Sequence, residues 1–277
     1  MDEPKLNHKV TIEADTTKVE SNQTIFTPGS IHSKKVREFW RSELKAGEWV
    51  MDTLKHGYVI PFEKFPTEYE EPNNKSALRE PDFVCQAIMD LKKTGVVKFV
   101  SEKPHCVSPL SVSFKTGRDG SIKKRLCLDG SRCINDCIKK QKVTLSHLQR
   151  ALDLKHTGDY QIVYDLKAAY HHVMIHPSQV TYLGAAFTKP GGGSQYFVFL
   201  FLPFGLSSAV QCITKILKPI NAYFHRKGIK HSIYLDDGRI TATSESAADA
   251  DQEFVYNTLE KSGWIIEPNQ RVLRFRY

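Results

Sequence analysis

The sequence predicts an α+β fold whose C-terminal half follows the ferredoxin-like order β-α-β-β-α-β. Two observations carry this prediction. From Tyr160 onward, short segments rich in β-branched and aromatic residues alternate with two long patterns at helical spacing. A polar turn, Asp236-Asp237-Gly238, joins two of these short segments into a hairpin between the helices, as the plan requires.

The strands of the plan are bounded by turn residues. Four strands are predicted, at Tyr160–Leu166, Ser232–Leu235, Arg239–Thr243 and Trp264–Glu267. A further hairpin, which pairs Thr181–Thr188 with Gln195–Phe201, is inserted after the first strand. In the ferredoxin-like plan the first and third strands are central neighbours, so the end of the first strand is expected to face the turn of the hairpin.

Two helices complete the plan. Ser207 is expected to cap the first helix. Its apolar side carries Val210, Ile213, Leu217, Ile220 and Phe224. The second helix is predicted from Ser246 to Ser262, where Gly263 ends it. An additional short helix is predicted at Thr144–Leu154.

The N-terminal part is less regular. Residues 1–32 are expected to be disordered, because polar residues follow one another there without a hydrophobic period. Residues 33–80 are interpreted as a helical extension and linker, with Phe39, Trp40 and Leu44 at helical spacing after Ser33. Gly57 ends that helical region.

Residues 81–150 combine a helix with a basic hairpin. The helix begins at Asp82 and ends at Gly95. A short strand is predicted at Val96–Val100. The hairpin follows, with Leu110–Lys115 as its first strand, a turn at residues 118–121 and a return strand ending at Leu128.

Positive charge is concentrated around this hairpin. The 277 residues include 39 Lys and Arg and 31 Asp and Glu, which gives a net charge of +8. Between Leu91 and Arg150 alone, 14 basic residues accompany 4 acidic ones, a local net charge of +10. Such a cationic segment in an otherwise nearly neutral chain indicates a polyanionic partner.

Several classes of protein are excluded. The N-terminus, MDEPKLNHKV, has no apolar core and is not a secretory signal. The longest run of apolar and aromatic residues, Tyr196–Leu206, is 11 residues long, whereas a membrane helix needs about 20. The six cysteines are dispersed and indicate reduced thiols. We therefore expect an intracellular protein of the cytoplasm or nucleus, without a membrane segment.

Three carboxylates are expected at one edge of the predicted sheet. Asp165 lies near the end of the first strand and faces the turn that carries Asp236 and Asp237. Hard oxygen ligands of this kind hold the two Mg²⁺ ions of phosphoryl-transfer enzymes. The alternative is purely structural, since Asp-Asp-Gly is also a favoured turn sequence.

Four motifs resemble those of reverse transcriptases and follow one another along the chain in the order typical of that family. YDLKAAYHHVMIHP (Tyr164–Pro177) is similar to the first catalytic motif of the palm, and IYLDDG (Ile233–Gly238) to the tyrosine-x-aspartate-aspartate motif. FLPFGLSSA (Phe201–Ala209) resembles the turn before the palm helix, and RLCLD with Ile134-Asn135 resembles a fingers motif. The resemblance covers residues 80–270, and GYVIPFEKFP (Gly57–Pro66) further resembles polymerases of DIRS-type retrotransposons.

The resemblance implies a right-hand polymerase fold and a metal centre. Residues 81–150 would form the basic fingers and residues 151–277 the palm. Asp165 and Asp236 would be the direct ligands of two Mg²⁺ ions, with Mn²⁺ as an alternative, and Asp237 would support them. The backbone carbonyl of Leu166 would complete a metal shell.

The resemblance also implies sites for the nucleotide and the nucleic acid. Arg125 would clamp the triphosphate, Tyr170 would exclude the ribose 2′-hydroxyl, and Phe204 and Gly205 would line the pocket. Tyr234 would lie beside the primer end. Four basic residues of the hairpin would assist at the triphosphate, contact the template backbone or simply be solvated charges: Lys115, Arg118, Lys123 and Lys124. The partners would be an RNA template, a DNA primer and a deoxynucleoside triphosphate; protein partners are not indicated.

The sequence departs from the family pattern in three places, the first of which is one extra residue between Asp129 and Asn135 relative to the usual fingers spacing. Gln270 stands where a lysine usually ends the motif that begins at Gly263. No primer grip, thumb or RNase H segment is recognisable before Tyr277, so we expect a C-terminally truncated polymerase. Two alternatives therefore stay open: a catalytically silent nucleic-acid-binding remnant of a retrotransposon, and a host RNA-binding module of ferredoxin-like fold.

Overall fold

The computed structural model describes residues 30–117, 120–140, 158–189, 191–267 and 275–276. Three predicted features lie outside these ranges: the disorder expected of residues 1–29, the helix Thr144–Leu154, and the side chains of Arg118 and Gln270. For residues 30–32 the expectation of disorder is wrong, because they form a 3-10 helix whose Ile31 is fully buried in the core. The division of the chain at residues 80 and 150 stays a prediction.

The N-terminal part is helical, as predicted. Its elements, four helices and two short strands, are α1 (Lys34–Ser42), α2 (Glu48–His56), β1 (Tyr69–Glu70), α3 (Lys75–Leu78), α4 (Pro81–Lys93) and β2 (Val97–Val100). The Ser33 side chain caps α1 by accepting a hydrogen bond from the Val36 N–H. The helical region is interrupted before α2, because Lys45 adopts a left-handed conformation with a φ of 55°.

The basic segment forms a two-stranded hairpin. The hairpin consists of β4 (Leu110–Thr116) and β5 (Ile122–Leu128). The short strand β3 (Cys106–Val107) precedes it, and the short helix α5 (Ile134–Cys137) follows it. Strands β4 and β5 are antiparallel and pair from Leu110 with Leu128 to Thr116 with Ile122. This confirms the predicted hairpin and extends its return strand toward the turn.

The C-terminal part contains the remaining strands and the two long helices: β6 (Tyr160–Asp165), β7 (Gly184–Thr188), β8 (Ser194–Phe199), α6 (Ala209–Arg226), β9 (Lys230–Tyr234), β10 (Asp237–Ala242), α7 (Glu245–Lys261) and β11 (Phe275–Arg276). Four of these strands form one sheet in the order β11-β6-β10-β9. The expected central pair of first and third strands is therefore confirmed, since β6 pairs with β10.

Three predicted boundaries are wrong. The last strand, predicted at Trp264–Glu267, is reduced to a single bridge between Ile266 and Leu166, and β11 takes its place beside β6. The inserted hairpin begins later than predicted, because Pro177–Tyr182 is a 3-10 helix. The cap of α6 is Ser208 rather than Ser207, whose N–H instead donates to Asn135 Oδ1.

The inserted hairpin completes a second sheet of five strands in the order β1-β3-β7-β8-β2. It joins the C-terminal part to the segment that follows α4, since β8 pairs with β2 from Tyr196 with Val100 to Phe199 with Val97. A continuous hydrophobic core includes Trp40, Ile88, Phe197, Ile213 and Trp264. All six cysteines are described and are free thiols. Within the described ranges no helix has the length and hydropathy that crossing a bilayer requires.

The two faces of the four-stranded sheet differ. Helices α6 and α7 pack against β6, β9 and β10 and cover the face that carries Ile162, Tyr164 and Ile240, each at most 1% exposed. Because side chains alternate along a strand, Asp165 and Asp237 belong to the opposite face. The fold therefore places these carboxylates on the side of the sheet away from the helices.

Candidate functional site

The carboxylates are brought together by the register of two strands. Asp165, the last residue of β6, is the direct cross-strand partner of Asp237, the first residue of β10. Asp236 precedes it in the turn, and its carbonyl accepts a hydrogen bond of 2.9 Å from the Leu166 N–H. All three acidic residues predicted from the sequence therefore lie at one end of the β6–β10 pair.

The turn that carries Asp236 is tighter than predicted. Asp237 pairs with Tyr234, so the loop consists of Leu235 and Asp236 alone and Gly238 is a strand residue. Leu235 has a φ of 56°, and Ala168, three residues after Asp165, has a φ of 48°. Left-handed non-glycine residues are costly and are concentrated at functional sites, so the backbone is held in unusual conformations on both sides of the carboxylates.

The electrostatics of the site reflect crowded negative charge. The pKa of Asp165 is raised from 3.8 to about 7, first by burial and then by the neighbouring carboxylates of Asp236, Asp237 and Glu267. The pKa of Asp237 is raised for the same reasons, burial before the charge of Asp236. Arg125 acts in the opposite direction on both groups, which places its positive charge near the carboxylates.

Glu267 also lies beside the carboxylates, although it is not among the residues predicted from the sequence. Its N–H donates to the Asp165 carbonyl at 2.9 Å, so the segment after α7 runs along the end of β6. Its carboxylate contributes to the raised pKa of Asp165. The sequence did contain a signal for this residue. A strand is predicted at Trp264–Glu267, and a strand paired with β6 would bring its last residue next to Asp165.

The donor chemistry of this site fits a hard cation. Within the described residues no group of three or more His, Cys, Asp or Glu side chains is positioned to hold a metal ion. Mg²⁺, however, is usually bound by one or two carboxylates together with water and substrate phosphates rather than by a closed protein cage. Burial and carboxylate repulsion together raise the pKa of Asp165, and both disfavour an uncompensated negative charge that a bound cation would offset.

A second group of predicted residues lies beside the carboxylates. The ring centroids of Tyr170 and Phe204 are 4.9 Å apart, and the Arg125 guanidinium carbon lies 5.9 Å from the Phe204 ring. The charges of Asp236 and Arg125 both act on the pKa of Tyr170, which is raised mainly by burial. Arg125, Tyr170 and Phe204 thus form one wall next to the acidic residues.

Gly205 is required by a close approach of two backbones. It has a φ of 105°, and a Cβ there would lie 1.8 Å from the Leu128 carbonyl oxygen. The Leu128 N–H donates to the Phe204 carbonyl at 2.9 Å, so β5 and this turn are bonded directly. No side chain fits at position 205 without separating them.

Asn135 fixes the same turn from the other side. Its Nδ2 donates to the Gly205 carbonyl at 3.0 Å and its Oδ1 accepts from the Ser207 N–H at 2.8 Å. The sequence motif included Asn135 without indicating this role. Local sequence patterns do not show that a polar side chain bonds backbone groups 70 and 72 positions farther along the chain.

The basic hairpin presents different residues on its two faces. Lys115 and Lys123 are exposed cross-strand partners, and Arg125 lies on the same face by alternation. Lys124 lies on the other face, where its Nζ is 2.6 Å from Glu80 Oε2. The structure therefore groups Lys115, Lys123 and Arg125 and separates Lys124 from them.

The remaining predicted positions are distributed around the site. Tyr234 is 49% exposed and lies opposite Asp237 on the same face of the sheet. Leu166 has a buried side chain, and its backbone lies between Asp236, which accepts from its N–H, and Ile266, its bridge partner. His172, which follows the first motif's aspartate, is fully buried, with its ring 5.1 Å from that of Trp264. The segment after Asp165 turns inward there as a 3-10 helix.

Comparison with known proteins agrees with this geometry. The family model described as reverse transcriptase (RNA-dependent DNA polymerase) matches residues 115–272, more than half of the chain. The matched segment begins in β4 and includes Arg125, the three aspartates, Tyr170 and the Phe204-Gly205 turn. No curated protein matches the chain.

Proposed function

The chain belongs to the reverse transcriptase (RNA-dependent DNA polymerase) family, and from that premise we propose that it extends a DNA primer by nucleotidyl transfer at Asp165, Asp236 and Asp237. The primer 3′-hydroxyl attacks the α-phosphate of a deoxynucleoside triphosphate, and pyrophosphate leaves. The template is RNA, and the source is a retroelement, of DIRS type by the resemblance of Gly57–Pro66.

One observation supports this proposal above the others. Asp165 and Asp237 are cross-strand partners on the open face of the sheet, and the charge of Arg125 acts on both. Acidic metal ligands and a basic group that binds phosphate are the two components that phosphoryl transfer requires, because catalysis rests on positioning and charge neutralisation.

Asp165 and Asp236 would hold two divalent ions, Mg²⁺ or Mn²⁺, with the Leu166 carbonyl as a further oxygen ligand and Asp237 in support. When bound, such ions lower the pKa of the attacking hydroxyl and neutralise charge on the phosphates. The protein supplies the rest: β6 and β10 hold the carboxylates in register, and the Leu166 N–H fixes the turn through the Asp236 carbonyl.

The wall formed by Arg125, Tyr170 and Phe204 beside the carboxylates binds the nucleotide. Arg125 offers a planar guanidinium to the phosphate oxygens. The ring of Tyr170, packed on Phe204, occupies the space that a ribose 2′-hydroxyl would need, so deoxynucleotides are selected by exclusion. Gly205 keeps the turn close to β5 and so forms one side of the pocket.

The nucleic acid lies along the basic hairpin and the open face of the sheet. Residues 81–150, with Lys115 and Lys123 exposed, act as fingers that contact the template backbone, and Arg118 and Lys124 belong to the same segment. Residues 151–277 act as the palm. Tyr234, exposed opposite Asp237, lies beside the primer terminus.

Primer extension tests the proposal. The full chain is incubated with poly(rA)/oligo(dT), dTTP and Mg²⁺, beside Asp236→Asn and the control Asp251→Asn, which removes an aspartate of α7 outside the site. Incorporation by the wild type and the control, with a loss of at least about 100-fold in Asp236→Asn, is expected. Equal incorporation by all three proteins would contradict the assignment of the site.

The second candidate function is nucleic-acid binding without catalysis. It is favoured by the local charge of +10 between Leu91 and Arg150 and by the exposed lysines of the hairpin. A folded chain that binds primer-template with strong dependence on salt, and incorporates nothing, would support this alternative and exclude the polymerase.

A further inference from the structure

A chain of hydrogen bonds crosses the buried face of the four-stranded sheet, behind the carboxylates. The Tyr164 hydroxyl lies 2.7 Å from Nε2 of His231, and Nδ1 of His231 lies 2.6 Å from Oδ1 of Asn221. Tyr164 and His231 are each only 1% exposed. The chain therefore connects β6 with β9 and then with α6.

The tyrosine reaches β9 by passing over a glycine of β10. Gly238 is the cross-strand partner of Tyr164, and a Cβ at Gly238 would lie 2.0 Å from the Cζ of the tyrosine ring. His231 is the partner of Ile240, two residues farther along β10. The ring thus lies diagonally across the middle strand, in space that exists only because residue 238 has no side chain.

These residues adjoin the acidic site directly. Tyr164 is the residue before Asp165, and Gly238 is the residue after Asp237. Neighbouring residues of a strand point to opposite faces, so a change in the twist of β6 that moved the Tyr164 ring would also move the Asp165 carboxylate. The buried hydrogen bonds and the open carboxylates therefore belong to the same two strand ends.

The direction of each hydrogen bond follows from the donors present. Oδ1 of Asn221 is an acceptor, so Nδ1 of His231 donates to it and Nε2 accepts from the Tyr164 hydroxyl. Burial lowers the pKa of His231 to about 3, which keeps the imidazole neutral as this arrangement requires. The His231 carbonyl accepts from His225 Nε2 at 2.6 Å. Helix α6 therefore makes two hydrogen bonds to His231, one from His225 and one through Asn221.

We propose that Tyr164 and His231, held by Asn221, are positioning residues that set the relative placement of the Asp165 and Asp237 carboxylates. This inference rests on the proposed nucleotidyl transfer. Hydrophobic packing is not directional, whereas a hydrogen bond from β6 to β9 across β10 fixes how the three strands are rotated. Metal ligands act within tolerances of about 0.5 Å, and buried partners behind them supply that accuracy.

The test uses Tyr164→Phe in the full chain. This variant keeps the ring over Gly238 and removes only the hydroxyl, which leaves Nε2 of His231 without its donor. The matched control is Tyr223→Phe, also on α6, whose ring stacks on Phe254 and takes no part in the hydrogen-bond chain. His231→Phe removes the acceptor, and His231→Gln retains one and is expected to recover part of the loss.

Two readouts are measured. In primer extension, Tyr164→Phe is expected to lower kcat about tenfold and to raise the Mg²⁺ concentration for half-maximal rate several-fold, with the KM for dTTP within about twofold. In hydrogen exchange, which needs no activity, the Leu166 amide that donates to Asp236 is expected to exchange about tenfold faster, while α4 is unchanged.

The outcomes separate this inference from the proposed function. If the wild type incorporates nothing but Tyr164→Phe accelerates exchange at Leu166 alone, the positioning role stands and the polymerase does not. If Tyr164→Phe matches Tyr223→Phe in kcat, in Mg²⁺ dependence and in exchange at Leu166, the positioning role is overturned. A uniform increase of exchange across the chain, with kcat per folded molecule unchanged, would also overturn it.

Discussion

Asp165 and Asp237 are direct cross-strand partners at the ends of β6 and β10, on the face of the sheet that α6 and α7 leave open. Two carboxylates in this relationship repel each other, and Asp236 adds a third negative charge. A protein retains such a cluster when a cation or a proton offsets it. The effect of this negative charge on the stability of the protein can be measured without any substrate.

Stability without divalent ions is expected to fall as pH rises from about 4 to about 7. The pKa of Asp165 is raised from 3.8 to about 7 in the folded chain, so the folded state keeps a proton that the unfolded chain has lost. Above pH about 7 both states are ionised at this residue, and the loss of stability is complete.

Urea unfolding of the wild type and Asp165→Asn across this pH range measures the effect. The variant, which cannot ionise, is expected to have a flatter profile and to be the more stable protein above pH about 7. Mg²⁺ is expected to stabilise the wild type at high pH much more than the variant. Parallel profiles for the two proteins would show that the pKa of Asp165 is not raised.

Replacing Gly238 by alanine is expected to destabilise the protein by about 1–3 kcal/mol. The new Cβ would lie 2.0 Å from the ring of Tyr164. That ring is buried and hydrogen-bonded to His231, so it cannot move aside freely. Gly47→Ala is the control, because nothing lies within 4 Å of a Cβ at Gly47.

Urea denaturation compares the two variants, and primer extension is measured under conditions where each is folded. Gly238→Ala is expected to lose activity beyond its loss of folded protein, since Asp237 is the adjacent residue. A stability equal to that of Gly47→Ala would contradict the close approach of Tyr164 to this glycine.

Asn135→Ala is expected to raise the KM for the deoxynucleotide about tenfold, with a smaller change in kcat. Asn135 bonds the Gly205 carbonyl and the Ser207 N–H, which hold the turn beside Phe204. The control is Asn73→Ala, which removes the same kind of double backbone contact, to Leu110 and Ala186, at a distance from the site.

Asn135→Asp adds a further comparison, because it keeps the acceptor for Ser207 and loses the donor to Gly205. Steady-state incorporation over a range of dTTP concentrations gives KM and kcat for the wild type and for each of the three variants. An increase in KM of the same size in Asn73→Ala would indicate a general loss of stability rather than a contribution of Asn135 to the nucleotide pocket.

Tyr170→Val is expected to reduce discrimination between dTTP and UTP about tenfold or more, because the smaller side chain removes the obstacle to a 2′-hydroxyl. Tyr170→Phe keeps the ring that packs on Phe204 and is expected to discriminate like the wild type. The ratio of kcat/KM for the two nucleotides is the measurement. Unchanged discrimination in Tyr170→Val would assign the ring a packing role only.

Much of the fold could be predicted from the sequence, because local patterns encode local structure. The alternation in Tyr160–Asp165 and the helical spacing in Ala209–Arg226 each depend on residues within a few positions of one another. The order of these elements admits few topologies, and the pairing of β6 with β10 follows from that order. The same order of elements places Asp165 opposite the turn that carries Asp236 and Asp237, so these three residues could be predicted as site candidates from the sequence.

The tertiary structure alone decided the contacts between distant residues. Glu267 reaches Asp165, Asn135 reaches Gly205, and Lys124 pairs with Glu80 instead of joining the other basic residues of its hairpin. The role of Gly238 likewise depends on Tyr164, which lies 74 positions earlier in the chain. Such contacts are set by how strands and helices pack, and packing depends on the summed shape of many side chains, which no local period in the sequence records.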